Sequence, residues 1–122
     1  MRKIHYNKLI RDKIPSRIKK GGAKASYRIL NKKSFEKELI KKVEEEASGL
    51  VTAKSKKELI NELADITEVI EEIKKVKKIN TRQINSARKK NMAKKGGFKK
   101  RIFLRWSSDN GYKTNEKRYQ SY

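Results

Sequence analysis

The feature that most constrains this chain is a pair of neighbouring segments with apolar residues at helical spacing. In residues 34–51 and again in 56–77, apolar residues recur every three or four positions, which is the period of one face of an α-helix. Because only the short loop TAKS separates the segments, the two helices should pack antiparallel. The apolar residues are Phe35, Leu39, Ile40, Val43, Ala47 and Leu50, then Leu59, Ile60, Leu63, Ile66, Val69, Ile70 and Ile73.

Capping residues indicate where these two helices begin. Ser34 is the predicted N-cap of the first helix, since a serine side chain accepts a hydrogen bond from a free backbone N–H group. Ser55 and Glu58 have the spacing of a capping box at the start of the second.

Weaker patterns predict the remaining elements. A short helix is expected within residues 12–20 and a third long helix over residues 81–95, each ended by a pair of glycines. Two short strands are expected near residues 26–30 and 101–106. We therefore predict a mainly α fold, an antiparallel helical bundle with the third helix packed alongside. Residues 1–106 would form this domain, and residues 107–122 a basic tail containing aromatic residues.

Charge is distributed unevenly along the chain. The formal net charge is +21, yet residues 34–77 hold 11 of the 14 acidic residues, so two basic ends flank an acidic centre. Basic ends favour phosphate-bearing partners, either nucleotide or nucleic acid. The alternative is that these lysines only solvate the surface.

Other features of composition exclude several classes of protein. The chain has no cysteine, so neither a disulfide framework nor thiolate chemistry is expected. The N-terminal residues lack the apolar run of a signal peptide, and no stretch approaches the length of a membrane span. A cytoplasmic protein that does not enter the membrane is the expectation.

The acidic residues of the centre do not all lie on solvated helix faces. Glu46 falls between Val43 and Leu50 in the apolar phase of the first helix, and Glu62 falls between Leu59 and Ile66 in that of the second. Carboxylates in a half-buried seam repel one another and lose hydration, so a cation has to neutralise them. Mg²⁺ or Mn²⁺ prefers such oxygen ligands, and lysine or arginine is the alternative.

The same residues resemble motifs of a known family. The all-α nucleoside triphosphate pyrophosphohydrolases, the group of MazG and phosphoribosyl-ATP pyrophosphohydrolase, carry E-E-x-x-E on one helix and E-x-x-D on the next. EEASG at residues 45–49 is similar to the first motif except at its last position, and ELAD at residues 62–65 matches the second. YNKLIRDKIP at residues 6–15 and KGGF at residues 95–98 resemble stretches of a small single-module subgroup. The resemblance covers roughly residues 5–105.

The resemblance implies a function and the residues that perform it. The expected reaction is hydrolysis of a nucleoside triphosphate, dependent on Mg²⁺ or Mn²⁺, to pyrophosphate and a nucleoside monophosphate, by a homodimer. Its catalytic metal ligands would be Glu45, Glu46, Glu62 and Asp65. Candidates to contact phosphate are Lys8, Arg11 and Lys13, and separately Arg88, Lys89 and Lys94.

Gly49 departs from the family pattern, because a glutamate is expected at this position. Three interpretations stay open. Four carboxylates and additional water could hold the metal, Glu44 could contribute through a local shift in register, or catalysis could be lost. In the last case the chain would act as a basic nucleic-acid-binding protein or as a structural, assembly protein. Restoring the ligand with Gly49→Glu is expected to raise both metal affinity and activity if the site is intact.

Overall fold

The computed structural model describes residues 2–108, and within them all regular secondary structure is helical. The helices are α1 (Ile14–Lys20), α2 (Lys32–Thr52), α3 (Lys56–Lys77) and α4 (Thr81–Lys95). The expected mainly α fold is confirmed, with each helix close to its predicted position. The chain divides into two compact units, residues 1–86 and residues 87–122.

α2 and α3 form an antiparallel pair, which is the centre of the first unit. Near the loop, the carboxylate of Glu62 on α3 lies against Gly49 on α2. At the other end of the pair, the Nζ of Lys77 at the end of α3 lies 3.0 Å from Glu36 Oε2 near the start of α2. Among the described residues of this unit, α2 and α3 are the only helices packed against each other.

The start of α3 follows its sequence prediction closely, whereas the start of α2 does not. Ser55 Oγ accepts a hydrogen bond from Glu58 N at 3.1 Å, as a capping box requires, and the Glu58 carboxylate accepts from Lys54 N. The prediction of Ser34 as the N-cap of α2 is wrong. Asn31 takes that position and its Oδ1 accepts from Ser34 N at 2.9 Å, because asparagine is an equally strong cap and the two lysines that follow it favour a helix.

The core between α2 and α3 is small. Only Leu39 and Val69 are buried among residues 2–108, at 4% and 9% exposure. Leu59, Leu63 and Ile70, spaced by four and seven residues, lie on one side of α3 and are 41–47% exposed. The apolar stripe of α3 is therefore wider than the single helix that packs on it.

The two expected strands, near residues 26–30 and 101–106, are not formed. An extended segment gains stability only when a neighbouring strand pairs with its N–H and C=O groups, and neither segment lies in a ladder. Ile29 in the first segment is 88% exposed, and Phe103 in the second is 88% exposed. The β-branched and aromatic residues that suggested strands therefore lack a core to pack on.

The second unit contains the last part of α4 and the irregular residues that follow it. Gly96 has a φ of +78°, and its N–H donates to Met92 O at 2.9 Å, which ends the helix with the left-handed glycine predicted there. Large apolar side chains after the helix are exposed in residues 98–106. Most of the predicted tail, residues 109–122, lies outside the described residues. No helix in residues 2–108 is long and apolar enough to cross a bilayer.

Candidate metal centre

Three of the four predicted metal ligands converge between α2 and α3. Glu46 on α2 and Glu62 and Asp65 on α3 each place a carboxylate oxygen within 4.8 Å of the others, and all three residues are half-buried. Glu62 and Asp65 are one turn apart, so both can face α2. The prediction that Glu46 and Glu62 lie in the seam between the helices is confirmed.

Gly49 makes the approach of Glu62 to α2 sterically feasible. A Cβ atom added at Gly49 would lie 2.5 Å from Glu62 Oε2 and 2.8 Å from its Cδ, closer than real contacts allow. The carboxylate of Glu62 therefore occupies the space that any other side chain at position 49 would enter. Sequence reasoning treated Gly49 as a lost ligand, but the structure gives it a steric role at this site.

Glu62 differs from the other three acids in its surroundings. Within residues 2–108 it is the only one of the four without a hydrogen bond or ion pair to its carboxylate. The Asp65 carboxylate lies 2.8 Å from Arg11 Nη2, and Glu46 Oε1 lies 3.6 Å from Lys42 Nζ. A half-buried carboxylate without a cation is costly, so Glu62 is the member that a bound cation would stabilise most.

Glu45 lies outside the cluster of three and is held by lysines instead. Its two oxygens are 2.7 Å from Lys8 Nζ and 2.8 Å from Lys42 Nζ. Partial burial alone would raise the pKa of Glu45, but hydrogen bonds and charge from Lys42 and Lys8 outweigh it, and the pKa lies below its usual value. The hydrogen bond that Lys8 donates to Glu45 is also the main reason that the pKa of Lys8 is raised.

The three clustered acids fit a divalent cation. Carboxylate oxygens are the ligands that Mg²⁺ and Mn²⁺ prefer, and two oxygens on opposite sides of Mg²⁺ are ~4.2 Å apart. Adjacent ligands of the ion are only ~2.9 Å apart, so these oxygens, which lie within 4.8 Å of one another, would have to move closer by side-chain rotation to share one ion. Glu45 would join them only after releasing a lysine. Glu44, the alternative raised by a register shift, is exposed and is not in the cluster, and α2 runs through it without interruption.

The basic candidates divide into three groups. Lys8 and Arg11 pair with two of the four acids, as in the alternative that lysine or arginine neutralises these carboxylates. Lys13 is exposed and its side chain makes no hydrogen bond or ion pair with residues 2–108. The other three belong to α4 in the second unit: Arg88, Lys89 and Lys94.

Sequence reasoning missed Lys42. Its side chain is only 13% exposed and contacts the carboxylates of Glu45 and Glu46. Its spacing of three and four residues from these glutamates is the spacing at which side chains meet on a helix, and that signal could have identified it.

Comparisons of this chain with protein-family models, with curated proteins and with solved structures found no match. The arrangement of the site therefore carries the functional assignment. It combines carboxylate oxygens between two helices with lysine and arginine beside them, and such groups can bind a divalent cation and a phosphorylated ligand.

Proposed function

We propose that this chain is a divalent-metal-dependent nucleoside triphosphate pyrophosphohydrolase of the MazG-like superfamily. The observation that supports it most is the convergence of the carboxylates of Glu46, Glu62 and Asp65 between α2 and α3. The sequence motifs at residues 45–49 and 62–65 suggest metal-dependent hydrolysis independently, since they include the three residues that converge. The substrate would be a nucleoside triphosphate, with pyrophosphate and a nucleoside monophosphate as products.

The chain's own residues would have distinct roles in this reaction. Glu46, Glu62 and Asp65 would hold Mg²⁺ or Mn²⁺, which when bound neutralises phosphate oxygens and lowers the pKa of water. In the hydrolysis, a water oxygen bonds to the α-phosphorus as the bond from that phosphorus to the bridging oxygen breaks. Glu45, with its lowered pKa, is a weak proton acceptor at neutral pH and serves better as a counter-ion or additional ligand.

The proposal is tested by measuring pyrophosphate release from a panel of nucleoside triphosphates against Mg²⁺ concentration. Glu62→Gln keeps the shape of the side chain and removes its charge, so activity should fall about 100-fold or more. Glu68→Gln is the matched control, because Glu68 lies on α3 but is exposed and outside the cluster. Absence of Mg²⁺-dependent release from wild type would overturn the proposal.

We also propose that the chain acts as a homodimer. The stripe of Leu59, Leu63 and Ile70 is exposed although the buried core is very small, and a second copy would cover it by packing helix on helix. Leu63→Glu should shift the mass measured by light scattering from dimer to monomer. A monomeric wild type at micromolar concentration would rule this out.

Binding of nucleic acid is a second candidate function, which α4 favours. This helix carries six basic residues and no acidic residue of its own: Arg82, Arg88, Lys89, Lys90, Lys94 and Lys95. Binding to it should be electrostatic and independent of base sequence, with affinity falling steeply between 50 and 200 mM salt. Titration with RNA and DNA over a salt series tests it, and a flat salt dependence would contradict it.

A further inference from the structure

The N-terminal arm, residues 2–13, bridges the two helices of the candidate metal centre through two cations. Lys8 Nζ donates to Glu45 on α2 at 2.7 Å, and Arg11 Nη2 donates to Asp65 on α3 at 2.8 Å. One of these partners, Asp65, belongs to the cluster of three, and the other is the predicted ligand left outside it. Arg11 therefore pairs with a carboxylate of the cluster, and Lys8 pairs with a carboxylate that could become an additional ligand.

These contacts are of a kind that exchanges easily. The side chains of Lys8 and Arg11 are 40% and 59% exposed, and ion pairs between exposed groups contribute little to stability. A cleft of about 180 Å³ lies between Asn7–Leu9 of the arm and the facing side of α2. The arm can therefore leave these carboxylates without opening a packed core.

Charge at the site favours an exchange when metal and phosphate arrive together. Four carboxylates face three cations, Lys8, Arg11 and Lys42, so the metal-free site carries one excess negative charge. Binding of a divalent cation changes this net charge from −1 to +1. The electrostatic attraction between the carboxylates and Lys8 and Arg11 is then weaker. A polyphosphate then becomes the stronger partner, because guanidinium and ammonium groups donate strong hydrogen bonds to phosphate oxygens.

We propose that Arg11, with Lys8, changes partner on substrate binding, from the metal-ligand carboxylates to the phosphates of the metal–nucleotide complex. The inference rests on the proposed function, since it requires the metal centre and a nucleoside triphosphate ligand. In the metal-free protein Arg11 competes with the metal for Asp65, and in the complex it binds phosphate. Its removal should therefore strengthen binding of the metal alone and weaken binding of the nucleotide.

The test measures both affinities in full-length protein by calorimetry. The probes are Mn²⁺ alone and the Mn²⁺ complex of α,β-methylene-ATP, which resists cleavage between the α- and β-phosphates. Arg11→Gln should bind Mn²⁺ about two- to fivefold more tightly than wild type, which is the range of one exposed ion pair. The same variant should bind the nucleotide complex about tenfold more weakly, through loss of a charged hydrogen bond.

Two further variants separate position from charge. Lys3→Gln removes one positive charge from the same arm, but Lys3 makes no hydrogen bond or ion pair with residues 2–108, so both affinities should stay near wild type. Arg11→Lys keeps the charge and should restore part of the nucleotide affinity, although lysine cannot donate two parallel hydrogen bonds.

The outcomes distinguish this inference from the proposed function. Opposite changes in the two affinities for Arg11→Gln, absent in Lys3→Gln, support the exchange. If Mn²⁺ binds wild type but both affinities fall in Arg11→Gln, the arginine only positions Asp65 and the exchange is wrong. Unchanged affinities, or equal changes in Lys3→Gln, overturn it as well. If no variant and no wild type binds Mn²⁺, the metal centre itself is refuted and the exchange with it.

Discussion

The two halves of the α2–α3 pair differ in the side chains that lie between the helices. In the half far from the loop, Leu39 and Val69 are buried and an ion pair joins the helix ends. In the half near the loop, Glu46 and Glu62 take positions with the same apolar phase, and Gly49 on α2 lies against the carboxylate of Glu62. One half buries hydrocarbon between the helices, and the other brings negative charges together.

This difference indicates where stability and binding reside. Burial of apolar side chains stabilises the far half, whereas the near half holds the half-buried carboxylate of Glu62, which has no ion pair with residues 2–108 and should lower stability until a cation binds. A binding site is commonly less stable than the scaffold that holds it, since its groups are arranged for a ligand. The halves should therefore respond in opposite ways to mutation.

The largest expected effect is on stability in the far half. Leu39→Ala removes a side chain that is only 4% exposed, and should lower the free energy of unfolding by ~3 kcal/mol. Val51→Ala is the control on the same helix, because Val51 is 85% exposed and its loss should change stability by less than ~0.5 kcal/mol. Urea denaturation measures both. Equal effects would show that the far half is not the stabilising core.

Gly49 offers the sharpest contrast between the two properties. Gly49→Ala should stabilise α2 by up to ~1 kcal/mol, since alanine favours a helix. Its Cβ would displace the carboxylate of Glu62, so Mn²⁺ affinity should fall about tenfold while thermal stability rises. Ser48→Ala, at the exposed neighbour, should leave Mn²⁺ affinity unchanged. An unchanged Mn²⁺ affinity in Gly49→Ala would mean that Gly49 has no role at the site.

The same steric argument revises the expectation for Gly49→Glu. A glutamate at this position brings a carboxylate but also the Cβ that displaces Glu62. The variant would gain the carboxylate of residue 49 as a ligand, but the carboxylate of Glu62 would move away. Calorimetry with Mn²⁺ should therefore show a smaller rise in affinity than an added carboxylate would give if Glu62 stayed in place.

Sequence periodicity predicted the helix pair because the apolar spacing and the Ser55 capping box are local signals. It also predicted that Glu46 and Glu62 face the interface, since phase on a helix fixes direction. Periodicity could not predict which apolar residues of α3 contact α2, because the apolar stripe of α3 is wider than the surface that one helix covers. Leu59 and Leu63 belong to the stripe but remain exposed. Contacts across the chain, such as Arg11 with Asp65, leave no periodic signal in the sequence.

Acid should release the arm from the near half. Because the pKa of Glu45 is lowered in the folded protein, its pairing stabilises above its ordinary value of 4.5 and is lost as pH falls through the lowered value. The pKa of Lys8 is raised in the folded protein, so its pairing stabilises the fold fully below pH 10.5. This stabilisation is lost as the pH rises through the raised pKa. The window of stabilisation therefore lies between these limits.

An NMR titration of the Glu45 carboxyl carbon measures this effect directly. Lys8→Gln should move the pKa of Glu45 upward, toward 4.5, because one of its two hydrogen-bond donors is lost. Lys3→Gln, on the same arm, should move it much less. A pKa of Glu45 that does not change in Lys8→Gln would show that the arm does not pair with α2 in solution.

The smallest expected effect compares one ion pair in each half. Lys77 pairs with Glu36 at 3.0 Å in the far half, and Lys8 pairs with Glu45 at 2.7 Å in the near half. Because these pairs are partly exposed, Lys77→Gln and Lys8→Gln should each lower the free energy of unfolding by only ~0.2–0.5 kcal/mol.

The two variants should nevertheless differ in their affinity for Mn²⁺. Twelve residues of helix place Lys77 ~18 Å along α3 from Asp65, beyond the ~10 Å screening length at 0.1 M salt. Only Lys8→Gln should therefore strengthen Mn²⁺ binding. If Lys77→Gln strengthens it equally, total charge rather than position controls the metal, and the division of this helix pair into a stabilising half and a binding half is wrong.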